Sequence, residues 1–431
     1  MQIKQADVHC TKNQSVKVST SKGAGLRAWL VWAVSACFVL FQFFVQLSSG
    51  EIVDGVIRDF NVSAFTAGIV ISSYYYIYVL LQTPAGLLID RYGPRLLLTL
   101  GAFIIGLGCY GFAIAHSVWL AVVARVLMGA GASFAFVGCL NLIARWFPAH
   151  RFAYMTALAE VFGMLGSIVG GLMLASMLSH FSWRQCTLFA AVVAAVLSVL
   201  LFVIVRDRSP QLAAVQSVAS TPVSTSMWPK VKQLLSRPVT WFNALYSGLV
   251  FGTVSVFIAM WAVPFLQAAY RLPLLTVTGV TDFAFIGIAV ACPVIGYLDG
   301  VIACRRWVMS LFPLFGALCL WLLFYCSLPV WLLCVLMLVL GVCLSSYFIT
   351  FVIGNEIASP QTQATSVGFV NTLSVGTAPL LQPLVGAMLD RAHPSAVAAS
   401  YSVSAFQSAL WVVPVCLLLA AMIGFFLPKR S

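Results

Sequence analysis

Apolar stretches of 20 or more residues recur along this chain from Trp29 to Leu427. Lipid is the solvent that fits such repetition, because a helix needs about 20 residues to cross the hydrocarbon core of a bilayer. Backbone amides in lipid must be satisfied internally, which leaves helices or closed barrels. The stretches run on without a ten-residue alternation, so they read as helices. Composition agrees: 62% of the 431 residues are hydrophobic and 8% are charged, against roughly 45–50% and about 25% in soluble domains.

The pattern predicts an all-α membrane protein of twelve transmembrane helices, at about 28–49, 64–89, 96–116, 119–143, 152–177, 184–205, 240–262, 275–298, 305–327, 330–354, 363–389 and 404–427. The first is longer than a signal-peptide core, carries Gln42 and Gln46 and leads into further spans, so it is expected to be retained. With the amino terminus inside, eighteen Lys and Arg fall in inner segments and four, Arg58, Arg184, Arg271 and Arg391, in outer ones. That bias puts both termini in the cytoplasm. It also accounts for the net charge of +12 without a nucleic-acid partner. Ten of the twelve cysteines lie inside apolar stretches with no CxxC or Cys/His cluster, so they read as packing residues, and no metal or cofactor is expected.

The longest polar interruption divides the chain into a tail 1–26, a first bundle 27–206, a linker 207–237, a second bundle 238–428 and an end 429–431. The halves echo each other. Helix 2 ends in PAGLLIDRYGPR and helix 8 in CPVIGYLDGVIACRR, each with a Pro, a Gly, an Asp and then a basic pair. Two pseudo-symmetric six-helix bundles follow from such a repeat.

This arrangement, with Gly86, Asp90, Arg91, Gly93 and Arg95 spaced as Gly-x3-Asp-Arg-x-Gly-x-Arg, resembles the major facilitator superfamily. Arg125, Gly129 and Gly131 in ARVLMGAGA and the Trp183-Arg184 pair fit the same resemblance. The second copy departs from it, with Gly296 and Asp299 three apart. FQFFVQLSSG, QPLVGAMLD and YSVSAFQSALWVVP look like bacterial phagosomal-type nutrient importers and, more distantly, the lysosomal dipeptide transporter. The resemblance implies a secondary carrier working by alternating access, with the segment from Gly86 to Arg95 as an inner latch in which Asp90 meets the amino end of helix 11. Asp299 is the corresponding gating position in the second half. Drug antiporters of the superfamily carry Gly-Pro in helix 5; here Ser167 follows Gly166, which counts against efflux.

Ionisable groups inside a bilayer are costly, so each is a functional candidate. Arg125 lies roughly 10 Å from the outer end of helix 4 at about 1.5 Å per residue. Glu160 lies about 12 Å above the inner face of helix 5, too far from Arg125 to pair with it, and Asp282 about 25 Å above the inner face of helix 8. A contact between Arg125 and Asp282, or a zwitterion held between them, is therefore expected. Glu160 and Asp282 are the expected proton carriers. Gln42 and Gln46 share a face of helix 1, and Tyr75, Tyr246, Tyr347 and Asn371 complete the expected binding residues. No Walker motif, nucleophile elbow or dinucleotide fingerprint is present, which argues against an enzyme. The expected function is proton-coupled import of a small polar or zwitterionic nutrient, an amino acid or short peptide, by a monomer in a bacterial inner membrane. The alternatives are a carrier of a larger solute such as a drug or siderophore, or a non-transporting sensor on the same fold.

Overall fold

The computed structural model describes residues 25–148, 151–207, 232, 235–301, 305–358, 363–392 and 401–428. Among them are twelve helices long and apolar enough to cross a membrane: spans 1 to 12 at Leu26–Leu47, Ala64–Gln82, Pro94–Ala113, Val118–Trp146, Tyr154–Leu178, Trp183–Ile204, Pro238–Tyr270, Leu274–Ile295, Arg305–Tyr325, Val330–Ile357, Ser366–Ala392 and Val403–Phe426. Most of the expected linker lies outside the described residues. Successive spans run antiparallel, so the first and last begin and end on one face, the terminal face; the opposite one is the distal face. Span 6 shows how lipid shapes such a helix: Val192, Val196, Val199 and Val203 form an exposed stripe on one side, while Ala190, Ala194, Leu197 and Leu201 are buried on the other.

Lipid offers little drive for helices to associate, so close backbone contact must supply it. The two halves use the same device at matching places. A Cβ on Gly129 of span 4 would collide with the Tyr74 carbonyl of span 2, and one on Gly341 of span 10 would collide with the Ala284 carbonyl of span 8. Four residues after each glycine the helix is interrupted. The Ser133 hydroxyl donates to the Ala130 carbonyl at 2.8 Å where Val118–Ala132 gives way to Ala135–Trp146. The Ser345 hydroxyl donates to the Val342 carbonyl at 2.6 Å at the start of a 3₁₀ turn, Ser345–Phe348. A serine that bonds back onto its own helix competes with the ladder and bends it.

Two features lie beyond the sequence reading. A short helix, Val53–Phe60, sits between spans 1 and 2, and span 7 runs to Tyr270, eight residues past its expected end. Inside span 7 the stretch Val254–Trp261 is π-helical and buried throughout. A π segment shifts the ladder by one residue and leaves carbonyls free to accept from elsewhere. Here the Ala259 carbonyl accepts from the Gly50 amide of the first half at 2.9 Å, and the Ser255 carbonyl accepts from Gln382 Nε2 at 2.8 Å.

Replacing Gly129 by Ala is expected to push span 4 off span 2 and cost about 1–3 kcal/mol, read as a lower melting temperature in detergent; an unchanged melting temperature would show that the contact relaxes without cost.

Candidate functional site

Span 1 presents Gln42 and Gln46 on one face, as their spacing predicts. Gln42 Nε2 donates to Gln46 Oε1 at 2.5 Å and to the Tyr74 hydroxyl at 3.1 Å. Tyr75 donates to the Gln46 backbone carbonyl at 3.1 Å. The Arg125 guanidinium lies over the Tyr74 ring, 5.3 Å from its centroid. Its hydrogen bonds go to neutral acceptors: the Ile71 carbonyl at 3.1 Å, the Val45 carbonyl at 3.4 Å and the Ser49 hydroxyl at 3.5 Å. Arg125 is 3% exposed, and among the described residues it forms no ion pair. A small cavity beside it is lined by Ser48, Cys109, Phe112, Met128 and Leu174, all within the first half.

The expected contact between Arg125 and Asp282 is therefore not made. Asp282 points instead towards Gly171 of span 5, where a Cβ would lie 3.6 Å from its Oδ1 and 3.3 Å from Glu51 Oε1. The reason is local: the Val45 and Ile71 carbonyls of spans 1 and 2 accept from the guanidinium, and span 8 packs closely against span 5.

Glu160 and Tyr347 do meet, from opposite halves. The Tyr347 hydroxyl donates to Glu160 Oε1 over a long 3.5 Å, beside a void lined by Met164, Ile288, Cys292 and Phe348. Tyr246 turns inward to its own bundle and donates to Ser346 Oγ at 3.0 Å. Asn371 is half-buried on span 11.

At the terminal face, the latch residues engage their own half. Gly93, at φ +87°, leaves room for the Asp207 carboxylate, which accepts from the Arg95 amide at 2.9 Å. Arg95 Nε donates to the Phe202 carbonyl at 2.9 Å, and Arg91 lies over the Tyr92 ring. Gly86 faces Val137 of span 4. These contacts tie span 2 and span 3 to span 6 and span 4. The side chains of Asp90 and Asp299 lie outside the described residues. In the second half the comparable brace is Arg305, whose Nη1 and Nη2 donate to Glu356 at 2.6 and 2.9 Å.

The bridge between halves stands at the distal face. Asp390, near the end of span 11, accepts from the Ala64 amide at 3.0 Å and the Phe65 amide at 2.9 Å, the first free donors of span 2. Tyr401 donates to the same carboxylate at 2.8 Å. A carboxylate at a helix N-terminus satisfies unpaired amides and meets the positive end of the helix dipole. Gly386 makes the approach possible, because a Cβ there would strike the Ala64 carbonyl. About three turns further in, the Tyr76 hydroxyl donates to the Pro379 carbonyl at 2.8 Å. Together with the Gly50–Ala259 bond these contacts close the distal face. The sequence carried a signal for it: Gly386-x3-Asp390-Arg391 repeats the spacing of Gly86-x3-Asp90-Arg91.

A family model described as Major Facilitator Superfamily matches residues 32–378. The chain belongs to the major facilitator superfamily. Among curated relatives, it is 26% identical over 243 residues to the "Probable L-galactonate transporter" of Escherichia coli, covering 54% of this chain and 52% of the relative. It is 27% identical over 195 residues to the gallate transporter of Pseudomonas putida, covering 44% and 43%. It is 24% identical over 202 residues to the quinolone resistance protein NorA of Staphylococcus aureus, covering 44% and 51%. The matches thus span about half the length of these relatives. The fold matches a bacterial homologue of the human lysosomal transporter Spinster, crystallised in an inward-facing, unoccupied conformation, with a TM-score of 0.77 over 94% of this chain and 97% of that one, at 14% identity. Family and fold together make transport the reading to test, and the form seen here has its distal face closed.

Replacing Asp390 by Ala is expected to shift the balance between distal-closed and distal-open forms by about 2- to 30-fold towards open, the range for losing a helix cap. Distances between spin labels carried by noncanonical residues at His116 and Ser327 would read the shift.

Proposed function

We propose that this carrier imports a small carboxylate-bearing nutrient together with protons, and that Arg125 is the group that meets the carboxylate. The observation that carries the reading is a guanidinium buried in a membrane bundle without a counter-ion among the described residues. A buried charge is costly until it is paired, so the state seen here is one that an anion would stabilise. The planar fork of Arg suits a carboxylate, and Gln42 and Tyr74, bonded to each other beside it, offer further polar groups to such a cargo. The relatives named for galactonate and gallate support the same chemistry, since both words denote carboxylates. An amino acid or short peptide, as the subfamily resemblance implies, also carries one. An organic acid fits better than a zwitterion, because Asp282 does not face Arg125.

Glu160 is the proton carrier in this reading. It is half-buried where the halves meet, a position that rocking of the bundles exposes and covers. The terminal face is assigned to the cytoplasm on the bias of basic residues, the membrane to a bacterial inner membrane, and a single chain holds the whole path. The relative named for quinolone resistance makes export of a larger solute the rival reading, and the small cavity beside Arg125 speaks against it.

In proteoliposomes with an imposed pH gradient, labelled galactonate, gallate and amino acids would identify the cargo class. Arg125→Ala is expected to reduce uptake of the true cargo at least ~30-fold, as for an unpaired buried charge partner worth about 2 kcal/mol or more, with Arg125→Lys retaining part of it; unchanged uptake would remove Arg125 from the path. Glu160→Gln is expected to abolish accumulation driven by the gradient while leaving cargo exchange at equal concentrations intact. A variant still driven by the gradient would exclude Glu160 as the carrier of the proton.

A further inference from the structure

Two acids at the distal face are used by none of this. Glu51 follows span 1 in the first half, and Asp282 stands two turns into span 8 in the second. They reach the same space beside Gly171 of span 5, where the missing side chain leaves room for both carboxylates. Asp282 is 3% exposed. Glu51 Oε2 and Asp282 Oδ2 are each buried without a hydrogen-bond partner.

The surroundings supply no cation in an ion pair with either acid among the described residues. The short helix after Glu51 brings Asp54, an acid, and Arg58, which is exposed and turns to Asp59. Span 4 brings Arg125, which reaches Ser49 but spends its donors on neutral acceptors. Span 5 brings Gly171 alone, and span 7 meets this loop through its backbone at Gly50. Span 8 adds the Thr278 hydroxyl, itself buried without a partner. Span 10 brings thiols, Tyr347, which turns to Glu160, and Glu356, which is paired with Arg305 near the terminal face. From span 11, Asp390 is occupied by the start of span 2 and Tyr401.

We infer that Glu51 and Asp282 form a proton-binding site of the distal gate, which closes only when the pair holds at least one proton and reopens when hydration lets both carboxyls ionise. Closing brings the two acids together from opposite halves and strips water from both, and two unpaired carboxylates side by side cannot both stay charged. Burial pushes the Glu51 carboxyl up to about 7, from an ordinary value of about 4 in the hydrated, open face. The closed form therefore binds more protons than the open one. It is favoured at low pH and is lost as pH rises towards 7 and above. The inference rests on alternating access and not on the cargo or on Arg125 and Glu160, so their variants can fail without touching it.

The full-length carrier in lipid nanodiscs, free of cargo, provides the test through label distances between His116 and Ser327 recorded from pH 5 to pH 9. The closed-to-open ratio is expected to fall with rising pH, by up to about tenfold per unit for one proton. Glu51→Gln and Asp282→Asn, singly, are expected to weaken that slope, and together to leave the face closed at every pH. Gly171→Ala, which fills the shared space, is expected to move the transition without abolishing it, and gives a readout should the double variant fold poorly. A wild-type distribution that ignores pH would overturn the site. So would a pH response that survives in the double variant, or a distribution that answers to sodium at fixed pH and not to protons.

Discussion

A bilayer offers no partner to a polar group, and that constraint decides what each polar side chain in these spans is doing. Most are answered inside their own bundle: Gln42 by Gln46 and Tyr74, Asn243 by the Thr350 carbonyl, Tyr246 by Ser346, Ser247 by Ser374. Such groups fix the packing of helices that have no hydrophobic force to join them. Arg125 and Asp282 are buried, Glu51 is half-buried with one carboxylate oxygen fully enclosed, and none has a charged partner among the described residues. In the function proposed above, cargo and protons are the partners they lack.

The two Gly-x3-Asp-Arg segments explain how one repeat can serve two faces. In an antiparallel pair the end of span 2 lies at the terminal face and the end of span 11 at the distal face, so the same six residues point to opposite sides. At the distal face the glycine admits the partner backbone and the aspartate caps the partner helix. Cap bonds to exposed amides are strong enough to hold a face shut and weak enough to break within a transport cycle, each cap being worth about 0.5–2 kcal/mol.

The helices were legible because lipid makes hydropathy nearly sufficient: every predicted span start falls close to the one found, and span 7 alone runs well past its expected end. Its extension follows from a π segment, whose ladder shift leaves no mark in an apolar sequence. Spacing within either half carries no sign that Glu160 meets Tyr347, because the two come from different halves. What spacing could not give is azimuth. Depth along a helix put Arg125 and Asp282 at similar levels, yet they face different neighbours, because rotation about each axis is fixed by glycine contacts on other spans. Glu51 escaped notice since it lies just outside an apolar run, where a charge reads as solvated loop. Only the fold of that loop back onto Ala259 carries it inside.

The placement of the unanswered charges bears on energy as well as identity. One cation stands in the first half, and the acids gather where the two halves meet. If a carboxylate cargo neutralises Arg125 while protons neutralise the acids, the loaded carrier buries no uncompensated charge, whereas cargo or proton alone leaves part of the set exposed to the low dielectric. The desolvation penalty of a partly loaded state then supplies coupling by degree: protons alone let the distal face close, while the full rocking motion is easiest for a carrier that holds both ligands. Coupling of this kind needs no contact between Arg125 and the acids, which is consistent with their separation in the closed form.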